Sequence, residues 1–326
     1  MRIGMTYDLR SDYLALGYSE ADTAEFDSDL TIRAIEDAIA AFGALPVRIG
    51  HARALINSLE HGERWDLVFN IAEGLQGRSR EAQVPAILEL YGIPYTFSDP
   101  LVCAVTLDKA VTKQLVRSHG LPTADFAVAR SVEDLASVAL PYPLFAKPLA
   151  EGTGKGISTA SRVGDTTELR RTVAALLQEF NQPVLIETYL PGREFTVGIT
   201  GNGAQANVLG MLEVLVQASH DAVYSYENKE NWQKLVHYGV PGEPEVAQAV
   251  SQLALASYHA LDCRDAARVD IRLDTGGTPN FLEVNPLPGL NPIHSDLPMI
   301  AYRAGVTYRE LIGRVIQAAL ARQDGA

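Results

Sequence analysis

The chain has 326 residues, 47% hydrophobic and 21% charged, which is too long for one small core and too apolar and varied for disorder. Its formal charge of −13 would repel a nucleic-acid backbone or an anionic bilayer, so any anionic ligand must be gathered by local lysines and arginines. Cys103 and Cys263 match no metal spacing or disulfide framework, no apolar run approaches a membrane span, and Met1 to Met5 lack the apolar stretch of a signal peptide, so a cytoplasmic protein is expected.

In chain order, strand-like and helical runs alternate over the first hundred residues: Arg2 to Thr6, Asp29 to Phe42, Pro46 to Ile49 and Asp66 to Ile71. This predicts an open α/β domain, residues 1–105, with ligands at the carboxyl ends of its strands. Those ends carry Tyr7-Asp8-Leu9-Arg10 and Asn70-Ile71-Ala72-Glu73-Gly74, the second followed by Gly77-Arg78-Ser79-Arg80-Glu81. A helix from about Asp108 to His119, stopped by Gly120-Leu121-Pro122, opens an α+β unit over 106–190. Strands are expected from Tyr142 to Ala146, Pro183 to Thr188 and Glu194 to Thr200, with a helix from Thr166 to Phe180. The polar, aromatic stretch from Gln217 to Pro244 reads as a functional loop. A helix from Glu245 to Leu261, an acidic hairpin and a closing helix from Tyr308 to Ala321 complete a second α+β unit over 191–326.

Two patterns carry chemistry. Lys147-Pro148-Leu149-Ala150-Glu151-Gly152-Thr153-Gly154-Lys155-Gly156 follows an apolar strand, and closely spaced glycines let backbone N–H groups turn toward an anion. The spacing fits neither a P-loop nor a dinucleotide fingerprint, which leaves a phosphate-covering flap or a plain glycine-rich hairpin. The second pattern is Arg268 to Asp274 and Asn280 to Asn285 around Thr275-Gly276-Gly277-Thr278. A symmetric hairpin pairs Asp274 with Pro279, Asp270 with Glu283 and Arg268 with Asn285, on one face. Two opposed carboxylates call for a hard cation such as magnesium, unless the hairpin is simply exposed and solvated. Glu187-Thr188-Tyr189-Leu190-Pro191-Gly192-Arg193-Glu194 is either an adenine and ribose contact or a tight turn.

Taken in order with Lys229, these motifs resemble the ATP-grasp ligases. Within them, Glu283-Val284-Asn285-Pro286-Leu287-Pro288-Gly289-Leu290, Tyr91-Gly92-Ile93-Pro94-Tyr95-Thr96 and Leu107-Asp108-Lys109 resemble the D-alanine-D-alanine ligase family. The resemblance implies an ATP-grasp fold in both α+β units and an ATP-dependent ligase that joins a carboxylate to an amine through an acyl phosphate. It gives Lys109, Lys147 and the flap residues Thr153 and Gly154 to the ATP phosphates. Glu187, Tyr189 and Leu190 fall to adenine, Glu194 to ribose and Lys229 to the γ-phosphate. Asp270, Glu283 and Asn285 would hold two Mg²⁺ or Mn²⁺ ions, and Arg268 would stabilise the transferring group, with Lys229 its catalytic companion. A homodimer through the N-terminal domain is part of the same expectation.

The substrate side departs from the family. Its glycine-rich N-terminal loop is absent, leaving Glu25 as a stand-in for the amino-group anchor. Glu73-Gly74 replaces a histidine-glycine pair, the flap reads Thr153-Gly154-Lys155, and Glu230 follows Lys229. Glu73, Arg78, Arg80 and Lys155 are candidates for altered substrate chemistry, or else members of a solvated loop and a salt bridge. Gly289 and Ser295 stand where a serine would hold the second substrate's carboxylate. The expected function is a ligase for small amino-acid or carboxylate substrates with a changed substrate site. An authentic D-alanine-D-alanine ligase and a non-catalytic nucleotide-binding regulator are the competing readings.

Overall fold

The computed structural model describes residues 1–20, 22–216, 236–239 and 242–323, with only the backbone described at 216 and 236–238. Strands β1 (Arg2–Thr6), β2 (Leu45–Gly50) and β3 (Leu67–Asn70) form a parallel sheet in the order β2-β1-β3. All four residues of β3 are buried, the apolar Leu67, Val68 and Phe69 as expected of a covered parallel strand and Asn70 with its side chain bonded to Thr6. Helices α1 (Arg10–Ala15), α2 (Asp29–Ala41) and α3 (Ala52–Glu60) connect these strands, and α4 (Gln83–Leu90), α5 (Pro100–Leu107) and α6 (Lys109–Ser118) follow. Ser28 caps α2 by accepting from the Thr31 N–H, and Ile32, Ile35 and Ile39 recur at helical spacing on its buried face.

A second, four-stranded sheet has the order β4-β7-β5-β6, from β4 (Phe126–Ala129), β5 (Leu144–Pro148), β6 (Arg162–Val163) and β7 (Val184–Thr188), with α7 (Thr166–Phe180) packed on it. The glycine segment joins the antiparallel strands β5 and β6, as expected for a flap. The third sheet runs β10-β9-β8-β11-β12, from β8 (Glu194–Thr200), β9 (Asn207–Val216), β10 (Val236–Gly239), β11 (Ala266–Leu273) and β12 (Pro279–Asn285). Helix α8 (Pro244–Ala260) covers one of its faces and α9 (Asp296–Arg303) packs against β8 and β9.

The last helix, α10 (Tyr308–Gln323), does not simply close the third unit. Its Leu311, Ile312, Val315 and Ile316 share an apolar cluster with Ile32 and Ile35 of α2 and with Ile3, Met5 and Phe69 of the first sheet. The chain's end therefore packs beneath its beginning. Asp265, fully buried, fixes that junction: it accepts from the Phe97 N–H (2.7 Å) and Asn202 Nδ2 (2.9 Å) and pairs with Arg322 of α10 (2.7 Å). Such a carboxylate persists only because each oxygen is satisfied.

Candidate active site

Strand β11 supplies the base of the site by simple alternation. Val269, Ile271 and Leu273 are buried under α8, which turns Arg268, Asp270 and Arg272 to the opposite face. On one side β8 sets Glu194 beside Arg272 and Thr196 beside Asp270; on the other, β12 sets Glu283 opposite Asp270 and Asn285 opposite Arg268. The hairpin is not symmetric, however. Leu273, not Asp274, pairs with Pro279, because Asp274 is drawn into the turn, its Oδ1 accepting from the N–H groups of Gly276 (2.8 Å) and Thr278 (2.9 Å). A bulge at Leu282 then inserts one residue and restores the pairing of Asp270 with Glu283.

Between the second and third sheets lies a cavity of about 110 Å³ lined by Lys147, Glu187, Tyr189, Leu190, Glu194, Asp270 and Glu283 and covered by Thr153 and Gly154 of the flap. Glu187, 3% exposed, is clamped between two ammonium groups, Lys147 at 2.9 Å and the fully buried Lys113. Burial alone would raise this carboxyl, but the two lysines outweigh it and bring it down to about 2. Lys113 is itself lowered by burial against the pull of Glu187, whereas Lys147 is raised because Glu187 and Glu283 overcome its desolvation. Glu194 pairs with Arg272 at 3.0 Å, and both Arg272 and Arg162 lie over the Tyr189 ring, 5.4 and 5.1 Å from its centroid. Lys109 is the first residue of α6, behind the Asp108 cap, and reaches Glu283 at 3.4 Å and the Glu151 carbonyl at 2.6 Å.

The flap is tied down on its N-terminal side. Gly152 donates its N–H to Glu25 Oε1 (2.7 Å), and a Cβ there would sit 2.5 Å from that oxygen. Arg80 locks the contact, pairing with Glu25 at 2.9 Å and donating to the Ala150 carbonyl at 3.0 Å. Next in the chain, Thr153 holds φ +51°, a left-handed conformation that costs a β-branched residue about 1–3 kcal/mol, and its hydroxyl is buried with no partner among the described residues. Strain and an orphaned hydroxyl coincide at the residue that faces both cavities of the site.

The second of these cavities, about 370 Å³, is lined by Glu25, Glu73, Asn285, Gly289 and Ser295, among others, and meets the first at Thr153, Arg268 and Asp296. Arg268 stands at the junction. It contacts Asp270 through Nε (3.1 Å) and Nη2 (2.9 Å) and Asp296 through Nη1 (3.0 Å). Ser295 Oγ is directed to the backbone, accepting from the Asn291 N–H at 3.0 Å.

Some expected residues fall elsewhere. Arg78 is 73% exposed and pairs with Asp108, and Lys155 pairs with Glu151 four residues away in the non-helical flap, and neither lines either of the two cavities. The solvated reading holds for Arg78 because its long side chain follows the helix cap. Arg80 sits behind Glu25 and lines neither cavity. Lys229 lies outside the described residues, as does most of the Gln217 to Pro244 loop. Conversely, Arg272, Asp296, Asp27 and Glu81 line the two cavities and Lys113 backs Glu187, although the sequence pattern assigns none of them a role. Lys113 follows Lys109 by four residues on one helix face, and Arg272 continues the alternation of Arg268 and Asp270, so both carried a readable signal. Asp296 and Glu81 arrive through tertiary packing and carried none.

No group of three or more His, Cys, Asp or Glu residues poised for a metal occurs among the described residues. The donors here are two carboxylates and an amide. Burial first, then Glu283, push the Asp270 carboxyl up against the opposing pull of Arg268, and Asn285 Nδ2 is buried without a partner among the described residues. An oxygen-ligated hard cation fits this set, since it offsets the repulsion and leaves most of its coordination for phosphate oxygens.

Comparison with known proteins agrees with this architecture. An ATP-complexed D-alanine-D-alanine ligase from Bacillus anthracis superposes with a TM-score of 0.75 at 26% identity, each chain covered in full. Fold and cleft together are those of an ATP-grasp enzyme, an ATP-dependent, ADP-forming ligase. The family model "D-ala D-ala ligase C-terminus" matches residues 115–317. A D-alanine-D-alanine ligase of Cupriavidus pinatubonensis is 35% identical over 260 residues, 78% of this chain and 76% of that one, and a Sinorhizobium fredii protein described as uncharacterized, y4sG, is 35% identical over 265 residues, 79% and 76%. The chain belongs to the D-alanine-D-alanine ligase family. No described helix is long and apolar enough to cross a membrane.

Proposed function

We propose that the chain forms an amide bond between two small amino-acid-like substrates through an acyl phosphate, with a substrate site that differs from that of a D-alanine-D-alanine ligase. The observation that carries this reading is the meeting of the two cavities at Thr153, Arg268 and Asp296. A nucleotide in the first cavity, with its phosphates toward Lys147, Lys109 and the flap, would present its terminal phosphoryl group where a carboxylate in the second can reach it. The carboxylate oxygen attacks the γ-phosphorus, the bond to the β,γ-bridging oxygen breaks, and ADP leaves. The acceptor amine then attacks the acyl carbon, the carbon–oxygen bond to phosphate breaks, and phosphate departs as the nitrogen gives up a proton.

Arg268 faces both steps. Its guanidinium is held by two carboxylates in a buried place, so its remaining N–H groups are oriented before charge develops on the phosphoryl group or on the tetrahedral oxyanion. Glu187 positions Lys147, Tyr189 and Leu190 wall the adenine end, and Glu194 with Arg272 takes the ribose. Asp270, Glu283 and Asn285 would hold Mg²⁺ or Mn²⁺, which neutralises phosphate charge when bound. Lys229 would meet the γ-phosphate.

The test is a screen of D- and L-amino acids, singly and paired, for ADP release with product mass. Dominant D-alanyl-D-alanine would favour the second reading, an authentic D-alanine-D-alanine ligase, which the name of the Cupriavidus relative supports.

A further inference from the structure

Thr196 of β8 lines the nucleotide cavity with a buried hydroxyl that has no hydrogen-bond partner among the described residues. The same holds for Thr153 on the flap and Asn285 in the proposed cation site, but Thr196 belongs to neither. The residue is 3% exposed, and its place in the sheet explains why nothing satisfies it. On β9 it pairs with Leu212, which is apolar. On β11 it pairs with Asp270, whose carboxylate is taken by Arg268 through Nε and Nη2. Two residues back along its own strand, Glu194 is held by Arg272, and two residues on, Gly198 has no side chain. An unbonded buried hydroxyl is unfavourable in the free protein, and one in a cavity wall calls for a ligand that completes it.

We infer that the Thr196 hydroxyl donates a hydrogen bond to a phosphate oxygen in the middle of the nucleotide's polyphosphate chain, an inference that rests on the nucleotide placement proposed above. Strands β8, β11 and β12 set the wall in rows about 7 Å apart, two strand residues from one row to the next. The first row is Glu194 and Arg272, given to the ribose. The second is Thr196, Asp270 and Glu283. The third holds Arg268 and Asn285, with Arg268 where the two cavities meet. A nucleotide with its ribose on the first row and its terminal phosphoryl group at the third lays the phosphates between them over the second. Ionised, Asp270 and Glu283 can only accept, and they meet phosphate through a cation. In that row the hydroxyl alone can donate to a phosphate oxygen directly, a bond to a charged acceptor. Its β-branched side chain is stiff at χ1, so the donor is aimed before the nucleotide arrives.

The test is calorimetric titration of the full chain, with Mg²⁺, by ADP and by adenosine. It compares wild type with Thr196→Val, which keeps the shape without the hydroxyl, and with Thr196→Ser, which keeps the hydroxyl. Thermal unfolding of each unliganded chain is followed by circular dichroism. Thr196→Val should bind ADP at least about tenfold more weakly than wild type, as for the loss of a hydrogen bond to a charged group, and should bind adenosine equally. Its unliganded Tm should equal or exceed that of wild type because an orphaned hydroxyl is gone, a combination that a merely structural role would not produce. Thr196→Ser should bind ADP within about threefold of wild type. Equal losses for ADP and adenosine, a lowered Tm in Thr196→Val, or a serine variant as weak as the valine one would assign the residue to ribose, fold or shape and overturn the inference. Unchanged ADP affinity in Thr196→Val removes the inference and keeps the nucleotide placement. Wild type that binds adenosine as tightly as ADP removes the placement itself, and the inference with it.

Discussion

Replacing Glu187 by Gln removes the one carboxylate between two buried ammonium groups while keeping its shape. A carboxyl drawn from its ordinary 4.5 to about 2, at about 1.4 kcal/mol for each tenfold change, contributes about 3 kcal/mol at neutral pH. Breaking a buried pair by removing one partner costs about 3–5 kcal/mol by a separate line of reasoning, so the variant should lose about that much in urea unfolding followed by circular dichroism. The pH dependence sharpens the test. The folded Glu187 value lies below the unfolded one, so the wild-type contribution is complete above pH 4.5 and lost as pH falls toward 2. In the variant, Lys113 loses the charge that opposes its desolvation, and its folded value drops further below the unfolded 10.5. The unfolded chain then binds more protons, and stability rises with pH. The deficit against wild type should narrow between pH 7 and pH 10. A loss below about 1 kcal/mol, the size of a neutral hydrogen bond, or a deficit constant over that interval, would refute the reasoning.

Arg268→Lys should lower kcat by about 10²–10³-fold, as loss of an oriented donor does, with ATP affinity changed only a few-fold; near-normal turnover would remove Arg268 from the chemistry. Chelation with EDTA should stop ADP release and added Mg²⁺ restore it, and Glu283→Gln should raise the Mg²⁺ concentration for half-maximal rate by at least about tenfold; an unchanged requirement would place the cation elsewhere. Gly152→Ala puts a Cβ against Glu25 and should loosen the flap, read as faster limited proteolysis within residues 152–158; an unaltered cleavage rate would disconnect the flap from Glu25.

Helix α7 begins and ends where expected, because both of its ends carry local chemistry. Asp165 accepts from the Thr167 and Glu168 N–H groups and Asn181 closes the other end in a left-handed conformation. Strand β11 was equally plain, since polar and apolar residues alternate along it. Helix α5 was not, because Pro100–Leu107 is nearly all apolar and packs on several sides, which erases the periodicity that marks an amphipathic helix. In the site, residues on one strand or one helix were legible from spacing alone. Glu25 and Arg80 were each noticed, but their pairing across 55 positions belongs to tertiary structure, and it changes what they do: together they hold the flap. The hairpin register came right for Asp270 and Glu283 only because a turn and a bulge err in opposite directions. Turn chemistry at Asp274 was readable; the bulge at Leu282, which no local residue pattern marks, was not.

The charge balance of the nucleotide cavity ties these parts together. Its lining holds five carboxylates, Glu187, Glu194, Asp270, Glu283 and Asp296, against Lys147, Arg268 and Arg272. Lys113 and Lys109, which reach Glu187 and Glu283 from behind, make these ten groups neutral as a set. Against a neutral set of described groups a triphosphate's charge calls for cations, from a lysine outside the described residues such as Lys229 or from metal ions that enter with it, and on the reading proposed above the Asp270–Glu283 pair would receive the ions. The same balance explains the double tie on Arg268. Of its five N–H groups, three are committed to Asp270 and Asp296, which leaves one on each Nη at the mouth between the cavities. On the reading proposed above, two donors fixed by two acids would be in place before the phosphoryl group moves, whereas a lysine at this position, a single rotating ammonium, could neither span both acids nor keep that aim.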